Sequence, residues 1–129
     1  MLPAAFSAAD LEITVKNISS RKGEIGIALF SSPDGFPLNK GRAPGVWLPA
    51  EDERTAQLLK GLPPGNDAGA VAHDRKGTHQ TETNWVGVPK EPRGVSNNVR
   101  PRLRAPKFEE AAITVVSDEP NRITINVSR

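Results

Sequence analysis

The sequence has no cysteine, no long apolar run and almost no net charge. The first absence excludes disulfides and thiolate chemistry, and with them any reading of redox compartment. The second excludes a bilayer-spanning helix, which needs ~18 consecutive apolar residues. A formal charge of +2 is too small to imply nucleic acid by itself. Apolar residues make up only 36% of the chain and the mean hydropathy is -0.44, so a thin core and plentiful loops are expected. Twelve prolines and eleven glycines are spread along the 129 residues, which fits many turns better than one disordered tract.

Residues 1–9 read as a tail or a leader remnant. Their small residues Ser7 and Ala9 suit a cleavage before Asp10, although the basic start and full apolar stretch of a signal peptide are missing. Residues 10–129 read as one domain.

Within that domain, Leu11-Glu-Ile-Thr-Val-Lys16 alternates strictly, as does Glu24-Ile-Gly-Ile-Ala-Leu-Phe30, with turn residues between them. The pattern predicts an antiparallel hairpin burying Leu11, Ile13 and Val15 with Ile25, Ile27 and Leu29. Asp34-Gly35 marks a turn in a Pro/Gly-rich loop, from which Phe36 is placed to plug the core; Val46-Trp47-Leu48 reads as a short strand or edge. Arg54–Lys60 predicts a strand with Ala56 and Leu58 inward, although Leu59 blurs the alternation. Asn66–His73 predicts a further strand whose many alanines suit a close-packed position. Ala111–Val116 and Arg122–Val127 read as a second antiparallel pair around Asp118-Glu-Pro-Asn121, with one helical turn at 50–54 or 107–111. About seven short strands joined by Pro/Gly turns predict an all-β fold, an antiparallel β-sandwich carrying one long irregular arm.

That arm holds the candidate functional residues. His73, Asp74, His79, Glu82 and Asn84 gather ligand types, with Asp74, Glu82 and Asn84 the calcium candidates. Arg75 and Lys76 oppose a cation there, and a purely structural loop or a transition-metal site are the other readings. Otherwise no cofactor is expected. Trp85 reads as a core cap or as a stacking platform. Asn97 and Asn98 suit either ligand contact or satisfaction of loop backbone groups. Arg100, Arg102 and Arg104 share one face if extended, a strip for phosphate, acidic glycan or an acidic partner, or else a solvated edge. The strip lacks interleaved aromatics, so nucleic acid is not expected. Ser96 stands in no nucleophile frame, and no catalytic residues are assigned.

Gly61-Leu-Pro-Pro-Gly65, His73-Asp74, Thr83-Asn84-Trp85-Val-Gly87-Val-Pro89, Gly94-Val-Ser-Asn-Asn98 and Pro106-Lys-Phe-Glu-Glu-Ala-Ala112 occur in one order. In this the chain resembles the bacterial domain of unknown function 2141 family, over Asp10 to Val127. The resemblance implies an exported, single-domain, all-β protein of the prealbumin-like or immunoglobulin-like class, and no reaction. The chain departs from the family pattern at Arg75, Lys76, Thr78 and His79, which argues against a shared cation site. The expectation is a non-enzymatic module, periplasmic or extracellular, that binds or self-assembles through the 73–110 arm. Its partner would be a second copy or a cell-surface component. The alternative is a small-ligand or carbohydrate-binding domain using Trp85, Trp47, Asn97 and Asn98.

Overall fold

A computed structural model describes residues 9–37, 45–51, 53–76, 91–101 and 104–129. Its strands are β1 (Ala9–Ile18), β2 (Glu24–Phe30), β3 (Gly45–Pro49), β4 (Glu53–Leu62), β5 (Gly65–Asp74), β6 (Arg93–Val95), β7 (Ile113–Val115) and β8 (Asn121–Asn126). A single helical turn, α1 (Phe108–Ala111), falls at the second of the two predicted places. The strands form two sheets, one ordered β4-β1-β8 and the other β3-β2-β5-β6, with β7 also pairing to β5. The sheets pack face to face, and the chain is a β-sandwich.

The buried faces are those the alternation predicts, but the pairing is not. β1 pairs antiparallel with β4 and parallel with β8, while β2 pairs with β3 and β5. The expected hairpin of β1 with β2 is therefore absent, and residues 19–23 carry the chain from one sheet to the other. Likewise β7 pairs with β5 rather than β8. Two-residue alternation says which face of a strand is apolar. It is the same whether the next strand lies beside it or across the core. Asn121 stabilises the second crossing: its amide oxygen accepts from Val116 N at 3.1 Å, and its Nδ2 donates to the carbonyls of Val116 and Asp10 at 2.8 and 2.9 Å.

β4 is also out of phase with expectation. Thr55, Gln57 and Leu59 are half-buried, whereas Ala56 is exposed and Leu58 is 44% exposed. The adjacent leucines left two phases open, and the face carrying Leu59 turned inward.

Between the sheets lies one aliphatic layer in which Ile13, Ile27, Val115 and Ile125 meet, together with Leu11, Val15, Ile25 and Val127. A second apolar layer covers the outer face of the β2–β5 sheet. There Ala28, Phe30, Ala68, Ala70, Val95 and Ala111 pack with Phe36, Val99 and Phe108. Phe36 sits edge-on to Phe30 at 5.2 Å and to Phe108 at 6.0 Å between ring centres. β5 is thus buried on both sides, which explains its composition. Its alanines leave room for the arm on one side, and a Cβ at Gly69 would stand 3.2 Å from Ile125 Cδ1 on the other.

β6 closes the sandwich against the end of β8. Arg93 and Ser128 exchange backbone hydrogen bonds of 3.1 and 3.2 Å. A Cβ at Gly94 would lie 2.3 Å from the Asn126 carbonyl oxygen, so only glycine permits this approach. Gly94→Ala is expected to lower unfolding free energy by about 1–3 kcal/mol, measured by urea denaturation, because the obstructing atom is backbone and cannot rotate away.

Candidate functional site

The described arm segments, 91–101 and 104–112, are held by their own polar side chains. Ser96 opens a short 3-10 turn, Ser96–Asn98, directly after β6. Its buried Oγ accepts from Gly69 N at 2.9 Å and donates to the Ala111 carbonyl, joining β5 to the end of α1. Asn97 and Asn98 both adopt positive φ, 61° and 53°, a conformation asparagine tolerates better than most residues. Asn97 Nδ2 donates to the carbonyls of Glu110 and Ala112, each at 3.1 Å. Asn98 faces the other way and acts as a one-residue strand. Its Oδ1 accepts from Asn126 N at 2.8 Å and its Nδ2 donates to the Thr124 carbonyl at 3.3 Å. This side chain covers the backbone of β8 where, among the described residues, no strand runs alongside.

The arginines behave similarly. Arg100 Nη1 donates to the Arg93 carbonyl at 2.9 Å and its Nη2 to the Ser128 carbonyl. Arg104 forms a two-pronged pair with Glu110 at 2.8 and 2.9 Å, while Glu110 also accepts from Lys107 N at 2.9 Å. The Arg104 guanidinium first, then the Lys107 amide, hold the Glu110 carboxyl down to about 2.

Of the residues singled out from sequence, Asn97, Asn98, Arg100 and Arg104 come together around β6 and α1. Trp85, Arg102, Glu82, Asn84 and His79 lie outside the described residues. Asp74 is buried at the end of β5. Its neighbour His73 points to the opposite face, as adjacent strand residues do. His73 is fully buried, with Nε2 2.8 Å from the Lys22 carbonyl. Among the described residues no group of three or more His, Asp or Glu is placed to hold a metal. Trp47 lies across Gly26, where an added Cβ would stand 2.6 Å from the indole ring. A groove of about 570 Å³ lies on the other sheet, lined by Asp10, Glu12, Leu58, Asp118, Glu119 and Arg122 among others. Sequence reasoning missed this groove and the buried Arg93, because neither is marked by a local pattern.

The comparisons with known proteins agree with the motif order. A family described as an uncharacterized protein conserved in bacteria (DUF2141) matches residues 13–124. The chain belongs to the DUF2141 family. The matched span contains both the Gly94–Asn98 and the Pro106–Ala112 segments, so two motifs of this DUF2141 chain are the two halves of one clamp. No match was found among curated proteins or among solved structures.

Two outcomes follow for the clamp. Ser96→Ala leaves the buried Gly69 N–H without its acceptor and is expected to cost about 1–3 kcal/mol in denaturant unfolding. The Glu110 carboxyl, followed by NMR, is expected to titrate with a midpoint near 2 and to return towards the ordinary glutamate value in Arg104→Ala. Because its folded pKa is depressed, its contribution to stability is present above the ordinary glutamate value and is lost as pH falls towards 2.

Proposed function

We propose that this DUF2141 chain is a non-enzymatic, exported β-sandwich module that works by contact through its 73–110 arm. The observation that carries the reading is the clamp. Ser96, Asn97, Asn98 and Arg100 all bond to the chain's own backbone, so the described part of the arm around them forms a preordered surface rather than a set of free reactive groups. A surface ordered before contact loses little entropy on binding. Ser96 is an unsuitable nucleophile because its proton is committed to the Ala111 carbonyl, while the His73 imidazole is bonded to Lys22. The compartment proposed is periplasmic or extracellular, following the family resemblance. The partner is a cell-surface component or a second copy.

The alternative, a small-ligand or carbohydrate site, draws on Trp85 and on Asn97 and Asn98. The two amides already serve the backbone, so nothing in their geometry favours it. A glycan panel read by tryptophan fluorescence separates the two, with no response expected. Calcium at 74–84 is tested by thermal melting with added Ca²⁺, for which no shift is expected.

The test of the leading reading is light scattering of the full chain over a wide concentration range, with parallel binding to soluble anionic cell-envelope polysaccharide. Assembly or binding is expected, and is expected to fall in Arg104→Glu/Lys107→Glu with the β-sheet circular dichroism unchanged. A strict monomer that binds no polysaccharide ends the reading.

A further inference from the structure

The sandwich treats its strand edges unequally. The edge of β8 is covered by the Asn98 amide and by the Arg93–Ser128 bridge. β3 is an edge of five residues beginning at a glycine and ending at a proline. β4 is an edge of ten residues, paired with β1 on one side and, among the described residues, with no strand on the other. In mid-strand, among the described residues, Gln57 Nε2 donates to the Leu58 carbonyl at 3.3 Å, a contact that an incoming N–H can replace. Leu58 is the exposed large hydrophobic residue of the described chain.

Leu58 shares the outward face of β4 with Arg54, Ala56 and Lys60, all exposed. Neither Arg54 nor Lys60 has an ion-pair partner among the described residues. Glu12, opposite Leu58 in β1, is 3.7 Å from Arg122 and stands one strand further in. The two free cations decide what the edge accepts. Antiparallel pairing of β4 with a second copy, centred on Gln57, would set Arg54 directly against Lys60 at both ends, and like charges directly opposite are unfavourable. A strand with carboxylates in those two places gains the same electrostatic terms with the opposite sign. In this register charge opposes a second copy and favours a strand carrying carboxylates.

We propose that the β4 edge binds an extended acidic segment of another protein as an added antiparallel strand. Its recognised pattern is acid-x-apolar-x-apolar-x-acid, with the acids opposite Arg54 and Lys60 and the apolar residues over Ala56 and Leu58. This surface lies on the sheet away from the arm and does not rest on the arm reading.

The probe is the fluorescein-labelled peptide Thr-Glu-Thr-Val-Thr-Val-Thr-Glu-Thr, measured by anisotropy against the full chain. Controls carry Lys or Gln in place of both Glu. The Glu peptide is expected to bind about tenfold more tightly than the Lys peptide, with amide shift changes concentrated in 53–62. Arg54→Glu/Lys60→Glu is expected to invert that preference. Both side chains are exposed, and circular dichroism verifies the fold. On the unaltered chain, added salt is expected to weaken the Glu peptide and leave the Gln peptide unchanged, so the proposal stays testable if the variant misfolds. It is overturned if no peptide binds below millimolar concentration, if Glu and Lys peptides bind alike, if shift changes fall outside β4, or if β4 pairs with a second copy.

Discussion

Everything outside the central layer depends on the β2–β5 sheet being covered on both faces. A sheet in a two-layer sandwich ordinarily gives one face to the core and one to water. Here Ile25, Ile27 and Leu29 of β2 face the other sheet, while Ala28 and Phe30 face the arm, and all five are buried. The outer face therefore needs a lid, and the arm supplies it without being a sheet or a long helix.

An irregular lid raises a difficulty that regular structure avoids. Its backbone N–H and C=O groups have no ladder partners, and burying them unpaired is costly. The chain answers with side chains. Ser96 serves the Gly69 amide, Asn97 the last carbonyls of α1, Asn98 the edge of β8, and Arg100 the carbonyls of Arg93 and Ser128. Close approach adds its own demands, with alanine at 68 and 70 beneath the arm and glycine at 94 where β6 meets β8. The polar residues that look most chemical are in this sense the joinery of the fold.

The balance between what was legible in the sequence and what was not follows from this. Strand existence and buried faces were legible, because Leu11, Ile13 and Val15 or Ile25, Ile27 and Leu29 repeat every two residues. The alanines of β5 correctly marked a close-packed strand, and the paired asparagines correctly suggested backbone satisfaction. Partner choice was not legible. The turns after β1 and after β7 lead across the core instead of back along the same sheet, and a local pattern does not encode that. The phase of β4 was obscured by Leu58 and Leu59 standing side by side. The arginine strip looked continuous, yet Arg100 bonds to the carbonyls of Arg93 and Ser128, seven and 28 positions away, while Arg104 pairs with Glu110, six positions on. Trp85, Glu82, Asn84 and Arg102 remain sequence candidates beyond the described residues.

The functional picture is accordingly one of surfaces, with the bonded arm segments on one sheet and, on the other, a β4 edge that carries Arg54 and Lys60 and has no strand beside it among the described residues. The first of these rests on the claim that arm side chains complete the backbone bonding of the strands beneath them. Native-state hydrogen exchange tests this most directly at two amides, Gly69 N–H and Asn126 N–H, whose acceptors are Ser96 Oγ and Asn98 Oδ1. If the account is right, both exchange only through global unfolding, at the same free energy as the central amides of β2. Fast exchange of both by local opening, with β2 still protected, would contradict it.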